Sequence, residues 1–246
     1  MWLRDHLPNG TPAALVRVIT YGYDAPLIGS NSFKTVENIA DFFARSLRTA
    51  GLGADRPLIF LAHSLGGIIL KQMIVQLAAG PQTGNLLLHS ILGGIFFGVP
   101  NWGIRNDHWL PLVEGRPNEA LVRDLGWKST YLMSLDERFR NLSILNQMSF
   151  HWGFETKTSP ILIENGKYVE NGEEVILVTK ESATSGLAKL PNSINTKVFA
   201  IDENHSNMVK FWHGDEVCDD VVRIVREIAG VSVTSQPLTR EESTHR

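Results

Sequence analysis

Leu58-Ile59-Phe60-Leu61-Ala62-His63-Ser64-Leu65-Gly66-Gly67-Ile68-Ile69-Leu70 is the stretch that decides the fold. Pro57 opens an apolar run, Leu58 to Ala62, that is too short for a helix and has the make-up of a strand buried on both faces. From Leu65 to Ala79 the chain is apolar nearly all round, which predicts a buried helix. Ser64 lies between them, in a tight strand-to-helix turn. Such a turn forces strained backbone angles and lifts the serine hydroxyl clear of the sheet. Small residues two before and two after it, Ala62 and Gly66, suit a point where strand and helix backbones nearly touch. The helix start beneath supplies N–H groups without intrahelical partners and the positive end of a dipole.

Outward from this turn, strands and helices alternate. Val16 to Tyr21 is β-branched and ends at Gly22, a predicted strand. Within 32–50, Val36, Ile39, Ala40, Phe43 and Leu47 share one helical face, and Gly51 stands where a C-cap glycine belongs. Ser90 to Val99 reads as a second buried strand, closed by Pro100. Leu132, Leu135, Phe139 and Leu142 mark a helix, and Ile144 to Phe154 a strand. Ile161–Glu164 and Val175–Thr179 flank Asn165-Gly166 and Asn171-Gly172, which suggests a hairpin. Lys197 to Ile201 is the last predicted strand and Glu216 to Ala229 the last helix. The pattern predicts an α/β protein with a mostly parallel sheet covered by helices on both faces. Residues 1–230 read as one domain and the polar, aperiodic stretch 231–246 as a frayed tail.

Composition narrows the function. With 246 residues, 43% apolar and 20% charged, the chain is an ordinary globular domain rather than a disordered one. Lys plus Arg number 23 and Asp plus Glu 26, a net charge of −3, so there is no electrostatic footprint for nucleic acid or an anionic membrane surface. A single cysteine, Cys218, excludes an internal disulfide and a cysteine-based zinc cluster, and it points to a reducing compartment. The apolar part of the longest uncharged stretch, Leu86 to Val99, is 14 residues long. A spanning helix needs about 20. The N-terminus has no apolar signal-peptide core. No cofactor is indicated: no Gly-x-Gly-x-x-Gly follows a strand. No metal is expected either, since His151 and Glu155, four apart on a strand, would lie about 13 Å from each other.

A serine nucleophile needs a base and an acid that orients the base. His205 follows the strand ending at Ile201, and loops after strand ends are where open α/β sheets place their sites. The other histidines compete poorly, and His63, next to the serine, is expected to face away from it. Glu155, at the end of the strand before, gives the order Ser, acid, His that nucleophile-elbow hydrolases use. Glu173, Glu174 and Glu181 remain rival acids.

Ala62-His63-Ser64-Leu65-Gly66-Gly67, Phe96-Phe97-Gly98-Val99-Pro100-Asn101, Phe150-x-x-x-Phe154-Glu155-Thr156 and Asn204-His205-Ser206-x-Met208-Val209-Lys210-Phe211 together resemble the lipase-like α/β-hydrolases of the serine active site-containing protein group. That group is related to the GPI inositol-deacylases, and similar domains head fungal NLR-like and ankyrin-repeat proteins. The resemblance runs from about Trp2 to Ala229, with Ala62 in place of the commoner glycine. It implies Ser64 as nucleophile, His205 as base, Glu155 as acid and the Leu65 backbone N–H as one oxyanion donor.

The expected function is therefore hydrolysis of carboxylic esters, lipid or otherwise, although the same triad also serves amide cleavage. The insertion at 100–131 is expected to cap the site, with Trp102 and Trp109 lining a substrate pocket. The alternative is a non-catalytic module of an NLR-like signalling protein, with signalling domains C-terminal to it. The expected location is intracellular and soluble, cytoplasmic by default, with mitochondrial or ER association implied as further options by the resemblance. In the group resembled, a His-Gly strand with the second oxyanion donor precedes the Trp-Leu-Arg-Asp segment, and it lies between the strands matching Val16–Tyr21 and Leu58–Ala62. On that reading Met1 is a late start within a longer protein, and this chain alone is expected to be weakly active or inactive.

Overall fold

The computed structural model describes residues 2–5, 7, 16–23, 30–53, 56–81, 85–105, 110–160, 163–164, 167–168, 174–185, 196–212 and 214–230. The elements in chain order begin with α1 (Trp2–Asp5), α2 (Val36–Thr49), β1 (Leu58–His63), α3 (Leu65–Ala79), α4 (Leu86–His89) and β2 (Ile91–Phe97). Three helices follow, α5 (Leu110–Val113), α6 (Glu119–Asp124) and α7 (Thr130–Arg140), then a 3₁₀ turn at Ser143–Gln147 and β3 (Ser149–Glu155). Four two-residue strands come next: β4 (Ser159–Pro160), β5 (Ile163–Glu164), β6 (Lys167–Tyr168) and β7 (Glu174–Val175). The chain continues through α8 (Lys180–Ala183), β8 (Val198–Ile201) and α9 (Glu216–Ile228).

The main sheet has the order β1-β2-β3-β8, and every neighbouring pair is parallel. Parallel neighbours need crossovers, and the helices that supply them cover both faces. Strand alternation sorts the side chains. Phe60, Ala62, Phe96, Phe150 and Trp152 face the layer of α2, α3 and α7, whereas Leu61, Ile95, Phe97 and Ile201 face α9. On the first face Phe96 stacks on Phe150 and Trp152, with ring centroids 5.1 and 4.4 Å away. On the second, α9 buries Cys218, Val221, Val222 and Ile224, and Leu7 packs on it. Helix α2 starts at a capping box between Thr35 and Asn38, and Gly51 follows its C-cap with φ +67°.

Several expectations need correcting. Val16–Tyr21 is not a strand: no described strand pairs with it, and Val16, Val18, Ile19 and Tyr21 each remain more than a third exposed. A β-branched run becomes a strand only where a neighbouring strand can pair with it, and β1 is the outer strand of the sheet. For the same reason β1 is mostly half-buried instead of buried on both faces. The predicted strand at 144–154 begins only at Ser149, because a 3₁₀ turn takes up Ser143–Gln147. The expected single hairpin is two nested antiparallel pairs, β4 with β7 and β5 with β6, and Thr179 caps α8 instead of ending a strand. The predicted tail, 231–246, lies outside the described residues.

Candidate active site

Ser64 sits between β1 and α3 with φ 51° and ψ −128°, a region that non-glycine residues enter at a cost. The neighbouring strand helps to hold it there, since the Ser64 N–H donates to the Phe97 carbonyl at 3.0 Å. The closest approach at this turn is one residue later than expected. A Cβ on Gly67 would lie 2.1 Å from Val99 Cγ2, whereas one on Gly66 would meet only the Tyr23 hydroxyl, at 3.7 Å. Leu65 is the first residue of α3, so its N–H has no intrahelical acceptor.

His205 lies on the loop after β8, the outermost strand on the far side, and reaches back across the sheet. Its Nε2 is 2.9 Å from Ser64 Oγ, and its Nδ1 is 2.7 Å from Glu155 Oε2. Glu155 ends β3, and its side chain is fully buried. Its second oxygen, Oε1, accepts from the backbone N–H groups of Leu177 and Val178 at 2.7 and 3.0 Å. All three partners donate, as an acceptor-only carboxylate requires. Nδ1 of His205 must therefore carry a proton, which leaves Nε2 free to accept the one on Ser64.

His63 joins this group through His205. Its Nε2–H donates to the His205 carbonyl at 2.9 Å, and the two rings lie 4.8 Å apart. Burial, reinforced by the neighbouring His205, lowers its pKa to about 4, so it is a neutral donor at pH 7. Gly98, at the end of β2, closes the other side with φ +52°. A Cβ there would come within 3.0 Å of His205 Nδ1 and 2.7 Å of Met208 Sδ.

The rival acids lie elsewhere. Glu174 accepts from the Thr158 hydroxyl at 2.5 Å on an exposed surface, Glu181 is exposed, and Glu173 lies outside the described residues. Trp102 is half-buried, with its backbone N–H bonded to Ser182 Oγ at 3.1 Å. Trp109 lies outside the described residues. A cavity of about 430 Å³ is lined by Arg48, Gly53, Gln76 and Pro81, at the end of α3 remote from Ser64, and includes neither Ser64 nor Trp102. Among the described residues no His, Cys, Asp and Glu cluster is arranged to hold a metal, and no helix is long and apolar enough to cross a membrane. Sequence reasoning missed the Leu177 and Val178 amides, since a backbone donor leaves no mark in side-chain type. Gly98 stands in one of the motifs quoted above, but its packing against His205 has no signal in the sequence.

No protein-family model matches the chain. Curated relatives include protein SERAC1 of Danio rerio, 27% identical over 220 residues, and protein SERAC1 of Homo sapiens, 26% identical over 221 residues. Each alignment covers 85% of this chain but only 29% and 30% of the respective relative, so the chain spans less than a third of their length. Among solved structures, the propeptide form of the Bacillus licheniformis lipase BlEst2 superposes with a TM-score of 0.52 at 18% identity. That superposition covers 77% of this chain and 41% of the other. The parallel sheet, the helices on both of its faces and this superposition together give the chain the α/β-hydrolase fold.

Proposed function

We propose that this chain is a serine hydrolase that cleaves carboxylic esters through Ser64, His205 and Glu155. The observation that carries the reading is the pair of hydrogen bonds in series, Ser64 to His205 and His205 to a fully buried Glu155. Ser64 Oγ attacks the acyl carbon as His205 Nε2 takes its proton, and Glu155 stabilises the imidazolium that forms. The tetrahedral oxyanion faces the Leu65 N–H at the start of α3, where the helix dipole favours negative charge. The carbon–oxygen bond then breaks, and Nε2–H protonates the departing alcohol. Water, deprotonated by the same nitrogen, attacks the acyl-enzyme, and the carboxylic acid leaves with Ser64 regenerated.

We read residues 100–131 as a cap over the site, with Trp102 at its root, and lipid esters as the substrate class. The superposition on BlEst2 supports the fold on which this reading rests. Treatment of the folded chain with a fluorophosphonate probe, followed by peptide mapping, should find the adduct on Ser64. A panel of p-nitrophenyl esters of rising chain length then ranks the substrates. A folded chain that leaves Ser64 unmodified would favour the reading as a non-catalytic hydrolase-fold module.

A further inference from the structure

We propose that Lys71, Asp136 and Asn101 form a buried positioning knot that holds helix α8, and through it the two amides that fix Glu155. This rests on reading Ser64, His205 and Glu155 as the catalytic triad. Lys71 lies on α3, two turns beyond Ser64, with 1% of its side chain exposed. Its ammonium donates to Asp136 Oδ1 of α7 at 2.5 Å and to Asn101 Oδ1 at 2.8 Å, and it stands over the rings of Phe139 and Trp152 at 5.0 and 5.7 Å. An ammonium only donates, so it settles which way the Asn101 amide points. The Asn101 Nδ2 group therefore faces the carbonyls of Ser182 and Ala183, at 2.8 and 3.1 Å, and that of Val99, at 3.1 Å.

The two carbonyls at 182 and 183 belong to the last turn of α8. Just beyond them, Ser185 sits in the left-handed region at φ +50°, and its hydroxyl donates to Asp136 Oδ1 at 2.8 Å. At the other end, Thr179 caps α8, and the two residues before it are Leu177 and Val178. One four-residue helix thus has its front against Glu155 and its rear tied to the knot. Ser182 joins in, with its hydroxyl donating to the Gly103 carbonyl and accepting from the Trp102 N–H, which also fixes the start of the 100–131 insertion.

Stability alone gives little reason to keep such a pair. Replacing a buried ion pair by apolar residues of similar volume is often neutral or stabilising. A Lys–Asp–Asn cluster does supply directional bonds that an apolar core cannot, and none of its members touches Ser64 or His205. They are positioning residues.

Asn101→Ala removes the bonds to the Ser182 and Ala183 carbonyls while leaving the Lys71–Asp136 pair and the Ser185–Asp136 bond in place. In the full chain it should slow fluorophosphonate labelling of Ser64 about tenfold or more, because small misplacements of a catalytic group are costly. The change should fall on the maximal rate and not on probe affinity. Hydrogen exchange at Leu177 and Val178 should rise by a similar factor relative to the β2 amides. Leu47→Ala, a core truncation on α2, should lower Tm and leave both readouts native. Native labelling and exchange in Asn101→Ala, or equal changes in Leu47→Ala, would overturn the proposal. If Asn101→Ala does not fold, Lys71→Met with Asp136→Leu is decisive in the same way. If native protein takes no label at all, the hydrolase reading fails, and exchange at 177 and 178 alone decides the knot.

Discussion

Glu155→Gln separates charge from shape at the acid. In the native chain Oε1 takes two backbone N–H groups and Oε2 takes the Nδ1–H of His205. A glutamine has one oxygen and one NH₂. If its oxygen keeps the two amides, its NH₂ faces His205 Nδ1, which must give up its proton and accept. The ring then carries its proton on Nε2 and donates to Ser64, the wrong tautomer for a base. If the side chain flips, its NH₂ meets the Leu177 and Val178 donors, leaving two buried N–H groups unpaired at about 1–3 kcal/mol each. The first arrangement keeps both backbone donors and the ring paired, so the fold should survive with Tm shifted by a few degrees at most. Activity should fall by about 10⁴, the loss typical when a triad acid becomes its amide. Stopped-flow labelling of Ser64 and ester turnover measure the rate, and calorimetry the fold. Glu174→Gln and Glu181→Gln serve as controls. A Glu155→Gln rate within tenfold of native, or a larger loss in either control, would refute the assignment.

Gly98→Ala should reduce labelling of Ser64 by more than 100-fold, because its Cβ would press on His205 Nδ1 and Met208 Sδ at a positive φ; retained labelling in a folded variant would contradict the packing. Gly67→Ala should cost about 1–3 kcal/mol in denaturant unfolding from overpacking against Val99. Val99→Ala should recover part of that loss in a double-mutant cycle, and simple additivity would count against the contact. Acid should destabilise the chain through His63 and His151, whose pKa values burial lowers to about 4 from 6.5. Their unfolded forms bind protons first, so stability should decline as pH falls from 6.5 towards 4 and then level off for these two groups. His63→Phe should flatten part of that slope in urea titrations at several pH values.

What the sequence reveals follows from where the signals reside. The strand, the turn and the buried helix at 58–79 are legible because composition and period agree over all three. Ser64, Glu155 and His205 could be singled out because strand ends and chain order carry information, and the structure brings these three within hydrogen-bond reach. The link from His63 to His205 is not legible, because alternation along β1 says nothing about a loop arriving from β8 to offer its carbonyl. Val16–Tyr21 misleads for a related reason: β-branching marks a segment suited to a strand, while pairing depends on a neighbour. Lys71 is easily lost inside an apolar helix, although one charge in such a run is itself a sign of a buried partner. That partner, Asp136, stands 65 positions away and cannot be read locally.

Cys218 gives the molecule a built-in clock. It is the chain's single cysteine, on the buried face of α9 beside Leu7 and Val222, and burial raises its thiol pKa. A thiol reagent therefore reaches it only when this region opens, and at reagent concentrations where reclosing outpaces modification the rate under native conditions reads the free energy of that opening without denaturant. Because α9 packs on Ile201 and Met208, on either side of His205 in sequence, the same measurement would show whether the face behind the histidine loosens on its own or only with the whole domain.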